Sequence, residues 1–298
     1  PIGTSLKFKY LFPGRKVILR KTRRFGEAIH HFSQIIRRGI LDSVEKDYEA
    51  LQKDGAVKRY LNFNEVPIGK LPGTWYILGR VNTTVNELRM CAKDAGLYYG
   101  DNRGNRSFDI KQWAAIKAWT KISKNKKINK KEAELMYKYI RELQDLSFRR
   151  DKFWQDLPDY QEYDFKGLKD WCGLDLPDES KDKPWWEILQ RNFKPEQITY
   201  FIRLLKRYGA RQLNAEPQII IDTIHSVKGG EADNVLIYSK TNWPSAFRNK
   251  NISEKSDEKR VYYTGVTRAK NTLHILSTDY KYNYPIGSDY FVYLQEKK

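Results

Sequence analysis

The sequence has few of the residues that build disulfide-stapled or zinc-stabilised domains. It contains two cysteines, Cys91 and Cys172, and four histidines in 298 residues. Two thiols so far apart in the chain predict neither a disulfide framework nor a zinc-finger site. So few histidines also argue against a zinc hydrolase. We interpret both cysteines as reduced thiols of a cytoplasmic protein.

Long apolar runs are scarce as well. No stretch approaches the roughly 18–20 apolar residues that cross a bilayer, so we expect neither a membrane protein nor a membrane partner. We also expect no secretory leader, because no basic and then apolar segment precedes a cleavage site. Hydrophobic residues make up 40% and charged residues 31% of the chain, which is typical of a folded soluble protein. The length predicts about two domains.

Acidic residues are outnumbered by basic ones. The chain has 55 Lys and Arg against 37 Asp and Glu, a formal net charge of +18, and 14% of its residues are aromatic. A positive surplus attracts polyanions, and aromatic rings stack on exposed bases. This composition favours a nucleic acid as partner, including a single strand; a generally basic, soluble surface is the alternative. The lysine-rich run at 121–131 is either a solvated loop or a nucleic-acid contact.

Strand and helix patterns alternate in the first third of the chain, and strand patterns return in the last third. The predicted strands are Val17–Leu19, Trp75–Leu78, Ile219–Ile221, Val235–Tyr238 and Thr272–Leu276, and the predicted helices are Phe25–Ile40, Asp42–Lys53 and Val85–Ala95. Strand, helix and strand at this spacing predict an α/β fold with a parallel sheet and helices on its faces.

The middle of the chain has a different pattern. From about Asp109 to Gly209 it shows helical periodicity and no good strand. The strongest amphipathic segment is Ile198–Tyr208, which begins after Pro195 and is expected to stop at Gly209. The simplest architecture is one α/β domain built from both ends of the chain, with a helical insertion. We assign residues 1–108 and 211–298 to the α/β domain and residues 109–210 to the insertion.

The strongest chemical signal is the segment Thr223–Glu231, which lies between two predicted strands. Ligands bind at the carboxyl ends of parallel strands, and Gly229 and Gly230 would let a phosphate approach the backbone closely. Glu231 could accept a hydrogen bond from a ribose hydroxyl. The donors available for phosphate oxygens are Thr223, His225, Ser226 and Lys228. A polar turn with glycines is the alternative.

Two further segments carry basic residues beside predicted strands. In Asp257–Lys270, Arg268 lies directly before the last strand, where a rigid guanidinium could reach a transferring phosphoryl group as an arginine finger. A surface arginine is the alternative. In Leu19–Gly26, four basic side chains precede a helix. Because the helix dipole repels cations there, they suit an anion bound in front of the helix.

Together these segments resemble the second motor domain of superfamily 1 helicases of the UvrD/Rep type. Thr223–Glu231 reproduces the family's T-x-H-x-x-K-G-x-E, Glu258–Ala269 is close to E-R-R-L-x-Y-V-x-x-T-R-A, and Leu19–Arg24 is similar to L-x-x-N-Y-R. Ile77–Asn82 is similar to the family's strand ending in R-x-N, and the segment from Ala95 to Phe108 to its G-I-P-Y…G-G…F. The resemblance runs from about residue 17 to residue 280 and is weakest across the helical insertion.

The resemblance implies a RecA-like parallel sheet with an all-helical inserted subdomain, and it implies roles for individual residues. Arg24 and Arg268 would contact the γ-phosphate of ATP, and Gly230 and Glu231 would lie near the nucleotide. The residues implied to face single-stranded DNA are Arg80, Asn82, Thr223, His225, Ser226 and Lys228. Arg23 stands where the family usually has a tyrosine that stacks on adenine, and a guanidinium can stack through its plane. Thr22 likewise replaces Asn.

The phosphate-binding and Mg²⁺-binding motifs of such enzymes are missing from the 298 residues. The sequence contains no G-x-x-x-x-G-K-[ST] and no D-E-x-x after an apolar strand. The family places both on a first motor domain. We therefore expect the chain to be the carboxyl-terminal half of a helicase, and to be inactive alone.

The resulting hypothesis is an ATP-dependent DNA helicase with 3′ to 5′ polarity, the polarity following from the resemblance only. It predicts a cytoplasmic monomer that uses ATP and Mg²⁺, the ion being held mainly by the first motor domain of the same polypeptide, and that binds single-stranded DNA. The alternative is a degenerate relative that binds nucleic acid without turnover. A nuclease–helicase fusion has no support, since no clustered carboxylate pattern is present.

Overall fold

The structure, a computed structural model of the chain, describes residues 21–41, 43, 49–51, 55–140, 161–172, 174, 176–241, 252–277 and 283–291. The predicted strand Val17–Leu19 lies outside these residues. The chain divides into two compact units, one formed by Pro1–Arg89 with Ile219–Lys298 and the other by Met90–Gln218. In the described ranges, no helix is both long enough and apolar enough to cross a membrane.

The first unit is built on a five-stranded sheet whose neighbouring strands all run parallel. The strands, in order across the sheet, are β3 (Ala56–Tyr60), β9 (Ala269–Leu276), β8 (Ala232–Tyr238), β4 (Trp75–Gly79) and β7 (Ile219–Thr223). The central strands β4 and β8 are almost continuously buried, as strands covered on both faces must be. The α/β prediction and four of its five strands are thereby confirmed; β3 escaped prediction.

Among the described residues, three helices belong wholly or mainly to this unit: α1 (Glu27–Arg38), α2 (Asn82–Asp94) and α8 (Ile252–Val266). The apolar positions of α1 follow the helical period, and its buried face joins Tyr262 and Val266 of α8 in one core. The helix predicted at Phe25–Ile40 is confirmed as α1. The helix predicted at Val85–Ala95 is confirmed as α2, which ends before Gly96 in the left-handed region at φ +62°.

A second, two-stranded parallel sheet pairs β1 (Lys21–Gly26) with β2 (Glu49–Leu51). Lys21, Arg23 and Arg24 therefore lie in a strand, whereas the sequence suggested a connection in front of the helix; Arg20 lies outside the described residues. The helix predicted at Asp42–Lys53 is wrong at Glu49–Leu51. These three residues favour a helix by propensity, but pairing of Glu49 with Lys21 overrides that weak preference.

The second unit is mainly helical. The helices that the structure describes in it are α3 (Ile110–Ser123), α4 (Lys130–Tyr137), α5 (Phe165–Cys172), α6 (Trp185–Ile188) and α7 (Pro195–Asn214). They pack around an aromatic core that includes Trp113, Trp119, Trp185 and Phe201. Two strands of two residues, β5 (Ile128–Asn129) and β6 (Glu162–Tyr163), pair antiparallel. The sequence pattern had indicated no good strand here, because two residues are too few to show alternation.

The helical unit is larger than the insertion predicted at residues 109–210. It extends from Met90 to Gln218, because Tyr98 and Phe108 stack on each other within its core at a ring-centroid distance of 5.4 Å. At its other end, helix α7 is interrupted at Gly209, where the sequence predicted that it would stop. The backbone there has φ 68° and ψ 165°, and helical turns resume after this kink to Asn214.

Candidate functional site

The pairing of β8 with β9 brings basic and acidic residues together at the amino-terminal edge of the sheet. Ala232 lies opposite Ala269, so Glu231, which precedes β8, comes next to Lys270 at the start of β9. Arg268 directly precedes β9, and its carbonyl accepts a hydrogen bond from the Ala232 amide (3.0 Å). We call Arg24, Glu231, Arg268 and Lys270 the amino-edge cluster.

The Arg268 guanidinium is held by three hydrogen bonds. Its Nε donates to the Thr264 carbonyl (3.0 Å), Nη1 to the Gly230 carbonyl (3.0 Å) and Nη2 to the Thr267 hydroxyl (3.2 Å). Thr264 lies in the last turn of α8, so the helix fixes the direction of the side chain. Since a guanidinium has five N–H groups in a planar fork, Arg268 is oriented and keeps capacity for a further acceptor.

Arg24 and Lys270 share the carboxylate of Glu231. Arg24 Nε lies 3.2 Å from Glu231 Oε2, and Lys270 Nζ lies 2.8 Å from Oε1. Arg24 Nη1 also donates to the Thr267 carbonyl (3.2 Å). The hydrogen bond from Lys270, together with the charge of Arg24, holds the pKa of Glu231 below its usual value. Strand β1, the turn before β8 and the start of β9 therefore meet at one carboxylate.

Positive charge exceeds negative charge in the amino-edge cluster, which has three cations and one carboxylate. Burial, and then the charge of Arg24, lowers the pKa of Arg268. An anion placed between the two guanidinium groups would relieve this repulsion. Guanidinium groups bind phosphate and carboxylate oxygens through charge-assisted hydrogen bonds.

Gly230 permits the side chain of Tyr76 to approach the backbone closely. A Cβ atom at this position would collide with the hydroxyl of Tyr76 on β4. Any larger residue would displace the Gly230 carbonyl from Arg268 or push Tyr76 aside. The same cluster does not fit a Mg²⁺ ion, because Glu231 is its single carboxylate and is already bound to two cations. In the part of the chain that the structure describes, no three His, Cys, Asp or Glu side chains gather as a metal site.

A second group of predicted residues lies at the carboxyl-terminal edge of the same sheet. Gly79 at the end of β4 pairs with Thr223 at the end of β7, and the Ile224 amide donates to the Gly79 carbonyl (3.0 Å). This register places Arg80 beside the turn that follows β7. Asn82, the first residue of α2, is exposed near the same strand end.

The turn after β7 is anchored by buried apolar side chains and exposes polar ones. Ile224 and Val227 are buried, whereas His225 and Lys228 are exposed. The Ser226 hydroxyl donates to the Thr223 carbonyl (2.8 Å), which tightens the turn. Burial of part of the His225 ring, followed by the positive charge of Arg80, lowers the pKa of His225. An exposed, neutral imidazole in this position can donate one hydrogen bond to a ligand and accept another.

Arg80 forms a bidentate ion pair with Glu258 of α8. Nε donates to Oε1 (2.7 Å) and Nη2 donates to Oε2 (3.1 Å). The Glu258 side chain is 5% exposed and the Arg80 side chain 21% exposed. Burial alone would lower the pKa of Arg80, but the hydrogen bonds to Glu258 raise it. We call Arg80, Asn82, Thr223, His225, Ser226 and Lys228 the carboxyl-edge group.

The structure separates the two ends of the segment Thr223–Glu231. It begins at the carboxyl end of β7 and finishes at the amino end of β8, and these strands are parallel members of one sheet. The single ligand-binding loop expected from the sequence therefore spans from one edge of the sheet to the other. Its first half belongs to the carboxyl-edge group, and Gly230 and Glu231 belong with the arginines.

Three residues of these sites were missed by sequence reasoning: Lys270, Glu258 and Tyr76. Their positions depend on which strands are neighbours, and the sequence does not display that order. Glu258 and Lys270 did lie inside a segment singled out for its basic residues, which was the available signal. Arg23 lies on β1, but the structure does not describe its side chain, so its predicted contact with the nucleotide stays a prediction.

Comparisons with known proteins show what this chain is similar to. The family profile of the UvrD-like helicase C-terminal domain matches residues 99–280. A stretch of 95 residues is 36% identical to the "Probable DNA helicase II homolog" of Mycoplasma pneumoniae, and it covers 30% of this chain and 13% of that protein. The chain thus matches a small part of this relative's length. Among solved structures, the C-terminal domain of a possible DNA helicase from Lactobacillus plantarum WCFS1 shares 12% identity, with a TM-score of 0.36, over 89% of this chain and 91% of that chain.

Proposed function

Because the chain belongs to the UvrD-like helicase C-terminal domain family, we propose that it is the second motor domain, with its helical insertion, of an ATP-dependent DNA helicase. In this proposal the amino-edge cluster contacts the phosphates of ATP and the carboxyl-edge group contacts single-stranded DNA. A 3′ to 5′ direction of movement is part of the proposal and rests on the family resemblance.

The observation that carries the proposal is the convergence of Arg24 and Arg268 on Gly230 and Glu231. These residues come from three segments that are far apart in sequence. Arg24 pairs with Glu231, Arg268 donates to the adjacent Gly230 carbonyl, and both arginines donate to Thr267. Two guanidinium groups held close together favour a bound polyanion. Because Arg268 is oriented by α8, it can stabilise charge that develops on a transferring phosphoryl group, as arginine fingers do.

The carboxyl-edge group supports the second half of the proposal. Arg80, Asn82 and His225 line adjacent strand ends and offer the donors that phosphate and sugar oxygens accept. Lys228 adds an exposed charge on the same turn. These contacts would be largely independent of base sequence, as required of a protein that moves along DNA.

A complete cycle needs a partner domain. We propose that a first motor domain of the same polypeptide supplies the phosphate-binding loop and the carboxylates for Mg²⁺, since the described residues of this chain do not form an ion site. ATP would draw the two domains together against Arg24 and Arg268, and hydrolysis would release them. If the two domains hold the DNA strand in turn, each cycle of closure and opening would move the protein one step along the DNA.

Replacement of Arg268 tests this assignment in the complete protein. We expect Arg268→Ala to lower kcat for ATP hydrolysis by about 10³-fold, the usual contribution of an arginine finger, and to leave single-strand affinity nearly unchanged. Arg260→Ala is the matched control, since Arg260 lies on α8 and pairs with the exposed Asp257. Lost DNA affinity with retained turnover in Arg268→Ala would show that Arg268 is a strand contact instead.

The same measurement separates the alternative function. A degenerate relative that only binds nucleic acid would show single-strand binding and no ATP turnover in the complete protein. In that case Arg268→Ala would have no turnover to remove, and the convergence of arginines would serve binding alone.

A further inference from the structure

The ion pair between Arg80 and Glu258 ties a strand end to a helix. Arg80 directly follows β4, and Glu258 lies in the middle of α8. Both carboxylate oxygens accept from the guanidinium, at 2.7 Å and 3.1 Å. This fork-to-fork geometry fixes the plane of the guanidinium as well as its position.

Burial differs between the two partners. Glu258 is almost fully enclosed, whereas Arg80 keeps 21% of its side chain exposed at the carboxyl-terminal edge of the sheet. The pair engages Nε and Nη2, and the N–H groups of Nη1 have no hydrogen bond to the residues that the structure describes. The guanidinium is therefore fastened on its buried side and open on its exposed side.

Stability alone is a weak reason to keep such a pair. Removing two charges from water costs about as much as their attraction returns, so a well-packed apolar pair would often be equally stable. A pair with one partner facing a candidate binding edge has a different use. It holds a flexible cation, which otherwise samples many rotamers, in one direction before the ligand arrives.

We propose that Glu258 is a positioning residue for nucleic-acid binding. Its carboxylate holds Arg80 so that Nη1 faces a phosphate of single-stranded DNA beside Asn82 and His225. This inference rests on the proposed function. In this proposal Glu258 contacts Arg80 and does not contact the DNA, so it acts through the arginine. The same helix also orients Arg268 through the Thr264 carbonyl, so α8 places one arginine at each edge of the sheet.

The test uses the 298-residue chain and a fluorescein-labelled oligo(dT) as probe, with affinity read from fluorescence anisotropy over a range of KCl concentrations. We expect Glu258→Gln to weaken binding by about fivefold, the equivalent of one hydrogen bond, and Arg80→Ala to weaken it by at least as much. The double variant should bind no more weakly than Arg80→Ala alone, because Glu258 acts only through Arg80. The salt slope should fall by about 0.7 in Arg80→Ala, as for one lost phosphate contact on a single strand.

Asp257→Asn is the matched control. Asp257 is the preceding residue on α8, its side chain is 66% exposed, and it pairs with Arg260. Both variants remove one negative charge, so charge alone predicts slightly tighter binding for both. Positioning predicts weaker binding for Glu258→Gln only. Unchanged or tighter binding by folded Glu258→Gln would overturn the inference and leave the proposed function standing.

A second variant keeps the test decisive if Glu258→Gln does not fold. If circular dichroism shows that Glu258→Gln does not fold, Arg80→Lys replaces it, since lysine keeps the charge but cannot form the fork. Binding by Arg80→Lys that equals wild type would overturn the inference, and a loss close to that of Arg80→Ala would support it. If the wild-type chain does not bind oligo(dT) at all, the proposed DNA contact fails and the inference fails with it.

Discussion

At the scale of single residues, the two candidate sites use the same device. Arg268 and Arg80 are both arginines next to a strand end, and both are oriented by acceptors on α8: the Thr264 carbonyl for one and the Glu258 carboxylate for the other. An arginine on a surface samples many rotamers, and ordering it on binding opposes affinity. Holding it in advance removes much of that penalty.

His274 makes the stability of the sheet unit depend on pH. The ring is buried on β9 and stacks on Trp75, and Nε2 lies 2.8 Å from the Thr272 hydroxyl. Burial, followed by the charge of Lys58, lowers the pKa of His274 to about 4. The unfolded chain takes up this proton near the ordinary value of 6.5, so the free energy of unfolding falls as pH drops from 6.5 towards 4. The loss is about 3 kcal/mol, at about 1.4 kcal/mol per pKa unit.

Urea unfolding of the wild type and of His274→Gln at several pH values between 7.5 and 4.5 measures this effect. The variant should be less stable at neutral pH, since it disturbs the core. Its stability should nevertheless fall less steeply below pH 6.5, because it has no imidazole to protonate. Parallel curves for the two proteins would show that His274 is not the responsible group.

At the scale of elements, the strands that were predicted carry short runs rich in apolar residues. The runs Ile219–Ile221 and Val235–Tyr238 are apolar throughout, and such a run favours a strand, both inside the sheet, where β8 lies, and at its edge, where β7 lies. The edge strand β3 has the sequence Ala-Val-Lys-Arg-Tyr, whose two central charges are exposed, so it lacks that signal. Strand β2 exists through its pairing with β1, and pairing between distant segments leaves no trace in a local pattern.

Gly209 shows how a single residue interrupts a helix. Its φ of 68° and ψ of 165° lie in a region that is almost restricted to glycine, and a Cβ atom there would meet no other group. In an ordinary helix, Gly→Ala stabilises by about 1 kcal/mol. Here we expect Gly209→Ala to destabilise the protein by about 1–3 kcal/mol, because the backbone conformation is strained for alanine.

The sign of this change is the decisive result. Chemical denaturation of Gly209→Ala, followed by far-ultraviolet circular dichroism, gives the free energy of unfolding relative to wild type. A gain in stability would mean that α7 runs straight through position 209 and that the break is not a feature of the folded protein.

At the scale of the whole molecule, the sites could be predicted only in part. Glu231 and Arg268 were candidates from their own segments, and the resemblance to a family implied that they and Arg24 lie near one nucleotide. Their close approach depends on the strand order: β8 and β9 are neighbours in the sheet, although a helix lies between them in the sequence. The same order divides the segment Thr223–Glu231 between opposite edges, which a linear motif does not reveal.

The sheet unit has one candidate ligand site at the amino ends of its strands and another at their carboxyl ends. Helix α8 and the segment Thr223–Glu231 extend from one site to the other. Helix α8 holds Arg268 through the Thr264 carbonyl and Arg80 through the Glu258 carboxylate. In the proposed function it would therefore connect the nucleotide contacts to the DNA contacts, and any effect of one ligand on the affinity for the other would be reciprocal by linkage.

The last prediction concerns what this chain can do alone. Phosphoryl transfer needs groups that hold the phosphates and Mg²⁺ as well as arginines. The 298 residues contain no G-x-x-x-x-G-K-[ST] sequence, and the described residues do not form an ion site. We therefore expect the purified chain, with saturating single-stranded DNA, ATP and Mg²⁺, to release phosphate no faster than buffer. Turnover that is stimulated by DNA and lost in Arg268→Ala would show that the chain holds a complete site, and the assignment as one half of a motor would then be wrong.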